Sequence, residues 1–135
     1  MTGADELEVR IYYEDTDAGG IVYHASYLRF AERGRTELLR GLGFDQHALA
    51  RDQGILFAVS RCDMAFLRPA RLDELLVVRT RVLSMSGARI QMAQQIERDG
   101  VPLVHLGVTL AVLHAAAMRP VRLPEPLRAA FAQMQ

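Results

Sequence analysis

The sequence contains no lysine. Its sixteen basic residues are all arginine, set against sixteen acidic ones, so the formal net charge is zero. That balance argues against a nucleic-acid binder working by bulk charge. The missing lysine reads as coding bias, and it leaves any phosphate recognition to arginine forks, backbone N–H groups or hydroxyls. Cysteine is almost as scarce: Cys62 stands alone, which excludes an intrachain disulfide. One cysteine with four scattered histidines gives no zinc-ligand spacing either. No apolar run is long enough to span a bilayer. The opening "MTGADELEVR" is acidic and has no apolar core, so no secretory signal is expected and the cytoplasm is the default compartment. The 135 residues, half of them hydrophobic and 24% charged, fit a single soluble domain covering residues 1–135. A chain of about 150 residues buries roughly 70% of its unfolded surface, so a real core is within reach.

Hydrophobic periodicity divides the chain. Leu7, Val9, Ile11 and Tyr13 alternate with polar residues, the period of a half-buried strand. The polar "EDTDAGG" breaks it. From about Val22 to Leu42 the period becomes helical, with Tyr27, Phe30, Ala31, Gly34, Leu38 and Leu42 on one face. Gly34 within that stripe costs about 1 kcal/mol against alanine, which close approach to another backbone would offset. Gly43 stops the helix, and Asp45 and Gly54 bound a short second one. Four strands follow: from Ile55 until Pro69, from Glu74 to Met85, from Ala88 to Arg98, and from Leu103 to His114. The Asp99–Gly100 pair is a hairpin signal. A short helix in "PEPLRAAFAQM" closes the chain. The order predicts an α+β fold: an antiparallel sheet with helices on one face, its last four strands a meander. The final strand is apolar on both faces, so it lies centrally or meets another subunit.

The chemistry concentrates in "EDTDAGGIVYH". The first N–H groups of the helix, around Val22, Tyr23 and His24, lack intrahelical acceptors and carry the positive end of the helix dipole. An oxyanion developing there would be stabilised. Gly19 and Gly20 permit close approach and positive φ. Asp17, an anion at neutral pH, can attack an electrophilic carbonyl carbon or activate water. The plainer readings stand beside these. An aspartate before a helix is commonly a cap, the role given to Asp15, with Glu14 a solvated charge. His24 can be a hydrogen-bonded structural residue. Tyr13 can be a core strand residue with a satisfied hydroxyl.

"YYEDTDAGGIVYHASYLRFAERGRTELL" resembles the signature of hotdog-fold acyl-CoA thioesterases of the 4-hydroxybenzoyl-CoA thioesterase type, and most closely the Tol-Pal-associated (YbgC-type) branch. The spacing Asp17-x-x-Gly20-x-Val22-x-His24-x-x-Tyr27, then Glu32, carries the likeness. "FLRPARLDELLVV" and "RPVRLPEPLR" extend it over nearly the whole chain. The resemblance implies a five-stranded antiparallel sheet wrapped around a long central helix. It also implies dimers with sites at the interface, which pair into tetramers. It assigns the catalytic carboxylate to Asp17, with Tyr13 and His24 beside it, and an acyl-CoA substrate, or an acyl-carrier protein as the alternative donor. No metal or redox cofactor is needed. In relatives the nucleotide lies near the turn before the fourth strand. Here that turn offers Ser84, Ser86, Gly87 and Arg89, where successive N–H groups could form an anion nest. Arg61, Arg68, Arg71, Arg79 and Arg81 read mainly as solvated strand residues. Glu32 suits a salt bridge, an interface contact or substrate equally; Asp73 reads as a turn residue and Cys62 as buried and inert. The rival functions are a non-catalytic acyl-CoA or carrier-protein binding module, a structural partner in envelope or phospholipid machinery, and a hotdog dehydratase, whose motif "DTDAGGIVYH" does not resemble.

Overall fold

The computed structural model describes residues 6–135. The first five residues of the acidic N-terminus, part of the segment read as lacking an apolar leader, lie outside the described residues. The chain builds β1 (Glu6–Arg10), α1 (Ser26–Gly41), a short α2 (Gln46–Ala48) that runs into a wider helical turn at Leu49–Gln53, then β2 (Ile55–Phe66), β3 (Leu75–Ser86), β4 (Arg89–Arg98), β5 (Val101–His114) and α3 (Glu125–Ala132). The five strands form one antiparallel sheet in the order β1-β3-β4-β5-β2. This is the α+β architecture of the hotdog fold, with the sheet curled around α1.

The expected meander holds only for β3, β4 and β5. β2 pairs with β5, from Ile55↔His114 to Phe66↔Val104, and lies at the far edge. Eight residues, Leu67 to Glu74, separate β2 from β3 and include Pro69. They cross the end of the sheet instead of closing a hairpin. The burial patterns explain the placement. β5 alternates between buried Val104, Leu106, Val108, Leu110 and Val112 and an outer face of His105, Gly107, Thr109 and Ala111, and it lies inside the sheet between β4 and β2. β2 is half-buried to exposed over most of its length, as an edge strand is.

The helical stripe reads as expected. Tyr27, Phe30, Ala31 and Leu38 are buried, the last three completely shielded from solvent. Gly34 is the point of closest approach. A Cβ there would stand 2.8 Å from Val78 Cγ1, 3.0 Å from Thr80 Oγ1 and 3.1 Å from Gln94 Nε2. The approach is thus to sheet side chains, not to another backbone. α1 is shorter than its periodicity suggested: Val22, Tyr23 and His24 precede it. Among the described residues no helix is long and apolar enough to cross a membrane.

Candidate active site

Beyond β1 the chain does not continue as a strand. Ile11 exchanges backbone bonds with the two residues just before β3 (Ile11 N–H to Glu74 O, Asp73 N–H to Ile11 O, 2.9 Å each), and Tyr13–Asp15 forms a single helical turn. Tyr13 is 82% exposed, so its strand-core reading fails. The turn redirects its side chain, and within one chain Tyr13 does not join the cleft described below. Asp15 is the buried residue here, at 4% exposure. Its Oδ2 accepts the Tyr12 N–H at 2.9 Å, its Oδ1 accepts Arg29 Nη2 at 3.0 Å, and its backbone O accepts the Tyr23 N–H and the Ser26 hydroxyl. It ties the motif to α1 through an ion pair, which is more than a cap. The pairing joins residues on two elements and leaves no trace in local sequence pattern.

Between Thr16 and Val22 the chain closes a small loop. The Asp17 N–H donates to Ile21 O at 2.9 Å, and the Gly20 N–H to Asp17 O at 3.1 Å. Gly20 adopts φ +84, with open space where a Cβ would stand. Gly19 has a different task. Its N–H donates to Asp17 Oδ1 at 2.8 Å, and a Cβ on it would lie 3.2 Å from that same oxygen. The carboxylate is therefore fixed by the loop's own backbone, and Oδ2 makes no hydrogen bond among the described residues.

The helix start is uncapped. Ala25 stands at the N-cap position of α1 with no side-chain cap, so neither Asp15 nor Asp17 serves there. The expected set of free donors needs revision. The Val22 N–H donates to Ala70 O at 2.8 Å and the Tyr23 N–H to Asp15 O at 2.9 Å, because Val22 is still in bridged chain and Tyr23 precedes the helix. Among the described residues the His24 and Ala25 N–H groups donate to nothing.

A cleft of about 380 Å3 opens at this point. Asp17, Ile21, Val22 and His24 line it from the loop, Tyr27 from α1, and Phe66, Leu67, Arg68 and Pro69 from the end of β2. His24 packs against Tyr23, ring centroids 4.5 Å apart, and edge-on to Phe66 at 6.4 Å. The Tyr27 hydroxyl accepts the Ala70 N–H at 3.2 Å, and burial pushes its pKa up. The Phe66–Pro69 wall went unrecognised in the sequence. Its segment, "FLRPARLDE", carried the family likeness but only as a mark of fold.

The remaining candidates lie elsewhere. Ser84, Ser86, Gly87 and Arg89 sit at the β3–β4 turn, the opposite end of a twelve-residue strand from the Asp17 loop. Such a strand runs about 40 Å, so one chain does not bring them to the cleft. That turn is also engaged locally: the Leu123 N–H and Arg128 Nη2 donate to Gly87 O, and Ser84 bonds Gln91. Glu32 is exposed and accepts the Thr36 hydroxyl at 2.7 Å, so no buried salt bridge forms. Asp73 is a turn residue with φ +70. Cys62 is half-buried, and burial raises its thiol pKa, with Arg35 pulling the other way. Arg79 is paired with Glu97 and Glu6, and Arg61 with Asp63.

The fold has known counterparts. The family described as the thioesterase-like superfamily matches residues 11–131. The acyl-CoA thioesterase YbgC of Haemophilus influenzae is 45% identical over 123 residues, covering 91% of this chain and 90% of that protein. The acyl-CoA thioester hydrolase YbgC of an Escherichia coli O6:H1 strain is 42% identical over 126 residues, 93% of each. Among solved structures, a probable thioesterase from Bartonella henselae superposes with a TM-score of 0.85 at 41% identity, covering 88% of this chain and 98% of that one.

Proposed function

The chain belongs to the thioesterase-like superfamily, and on that premise we propose that it hydrolyses acyl-CoA thioesters to the free acid and CoA, with Asp17 as the reacting carboxylate. One observation carries the assignment of residues: a carboxylate oriented by the Gly19 N–H beside a helix start that no side chain caps. A pure capping role would have spent Asp17 on the helix.

The reaction follows from that placement. The thioester carbonyl oxygen lies against the free His24 and Ala25 N–H groups, where the partial positive charge of the helix end meets the oxyanion as it develops. Each such donor is worth about 2.7–4 kcal/mol when aimed at the transition state. Asp17 Oδ2 either attacks the carbonyl carbon, giving an acyl anhydride that water opens, or takes a proton from the attacking water. Both routes expel the CoA thiolate, which recovers a proton, and both consume one water. The role proposed for His24, on the same cleft wall, is to orient the thioester and pass protons. Phe66, Leu67 and Pro69 give the cleft an apolar wall.

The active unit is proposed to be a homodimer built along β2. That strand offers a free backbone edge twelve residues long, with Val59, Phe66 and Leu67 about half exposed beside it. A two-fold pairing there would cover these side chains and close the cleft. The Ser84–Arg89 turn could then meet CoA phosphates only from another copy.

Release of free thiol from a panel of acyl-CoA and acyl-carrier-protein thioesters tests the activity. Steady turnover of at least one acyl-CoA is expected. Saturable binding with no thiol released from any of them would make the protein a binding module instead.

A further inference from the structure

A second cavity, of about 150 Å3, lies between α1 and the inner face of the sheet. Leu39, Phe57, Val59, Met92, Leu110 and Phe131 make its apolar walls, and Glu32, Arg35, Thr36 and Gln46 form one polar side. A cavity of that size holds a ligand of about benzene's bulk, which suits the end of a short acyl group.

The polar side is built with unequal needs. Thr36 donates its hydroxyl to Glu32 at 2.7 Å and accepts the Gln46 amide at 2.8 Å, so these groups satisfy one another. Arg35 is different. Its guanidinium is half-buried and donates to Gln94 Oε1 at 3.0 Å. Gln94 is itself 3% exposed and held by Ala31 O and Thr80 Oγ1 at 2.9 Å each. No carboxylate lies within 4 Å of Arg35 among the described residues. Burial lowers the Arg35 pKa, and Glu32 partly restores it. A half-buried cation on the polar side of this cavity, with one side-chain hydrogen bond among the described residues, keeps donors for an acceptor, and best for an anion. The Glu32 carboxylate, exposed at the mouth, is screened by solvent and opposes such a guest only weakly.

The cavity and the reaction cleft share one face of β2. Val59, Cys62, Met64 and Phe66 pair with the inward β5 residues Leu110, Val108, Leu106 and Val104, the irregularity between Val59 and Arg61 preserving the face. Six residues of β5 separate the two ends, about 20 Å, too far for a short acyl group within one chain. An antiparallel pairing of two β2 edges, with its two-fold axis perpendicular to the strands midway between Val59 and Phe66, would remove the gap, because it sets the Phe66 end of one copy beside the Val59 end of the other.

We propose that Arg35 is a specificity residue that binds a terminal carboxylate on the acyl group, so the preferred substrates are CoA monothioesters of short dicarboxylic acids. The inference rests on the thioesterase reading and its paired copies.

The test compares kcat/KM for glutaryl-CoA and for 5-methylhexanoyl-CoA, in which a branched alkyl end of the same shape replaces the carboxylate. A charged hydrogen bond in such a site gives a preference of about 10- to 100-fold. The wild type should favour glutaryl-CoA by that factor, and Arg35→Met should abolish the preference while Arg35→Lys retains part of it. A wild-type ratio at or below one overturns the inference, with or without a folded variant. So does a ratio that Arg35→Met leaves unchanged. If the wild type releases no thiol from any acyl-CoA, the thioesterase reading fails first and this inference falls with it.

Discussion

Gly34→Ala tests the packing that fixes the polar network under α1. The substitution removes a helix-interior glycine, which by propensity alone gains about 1 kcal/mol. Against that, the new Cβ arrives 2.8 Å from Val78 Cγ1, and Val78 is completely buried with no space to retreat. It also arrives 3.1 Å from Gln94 Nε2, which is committed to Ala31 O and Thr80 Oγ1. Lifting the helix relieves the first contact but stretches these bonds. Overpacking of this kind costs about 1–3 kcal/mol, and a buried amide left short of a partner about 1–3 kcal/mol more. The net expectation is a loss of about 1–5 kcal/mol. For a chain of this length that lowers Tm by about 4 °C per kcal/mol. Urea denaturation at fixed protein concentration, with Tm from scanning calorimetry, measures it. A Gly34→Ala variant as stable as the wild type, or more stable, would refute the close packing of α1 on β3 and β4.

The two loop glycines should separate. Gly20→Ala meets open space but must hold φ near +84, so a loss of about 1–2 kcal/mol in stability is expected. Gly19→Ala pushes on Asp17 Oδ1 from 3.2 Å and should cost more in kcat/KM than in stability; parallel melting curves and kinetics would expose the opposite pattern. Asp15→Ala leaves the Tyr12 N–H without its acceptor and Arg29 unpaired. It should cost about 1–3 kcal/mol, with a milder loss for Asp15→Asn, as read by denaturant midpoints.

Much of the architecture could be read from pattern alone. The stripe from Tyr27 to Leu38 defined the buried face of α1, and each strand appeared near its predicted position. The misreadings share one cause, since local periodicity does not say which segments meet. Val22 fits the phase of the helix, yet its N–H is taken by Ala70, on the connection after β2. Tyr13 fits the phase of β1, yet the helical turn at Tyr13–Asp15 ends the extended chain before it. The β2–β5 pairing depends on an eight-residue crossing that could equally have been a loose hairpin. The site divides the same way. Asp17, the glycines and His24 lie in one short stretch and announced themselves together. Phe66 to Pro69, Arg35 and Gln94 acquire meaning only when the sheet curls around α1.

The central claim is that the Asp17 carboxylate does chemistry and does not merely shape a turn. Asp17→Asn separates the two roles, because an amide oxygen can still accept the Gly19 N–H while the negative charge is gone. Steady-state hydrolysis of the best acyl-CoA by this variant, with its melting curve taken alongside, is the most direct measurement. The expected result is an unchanged Tm and a fall in kcat/KM of at least about a hundredfold. A variant that keeps both its melting temperature and kcat/KM within a few-fold of the wild type would contradict the claim and leave Asp17 a turn residue.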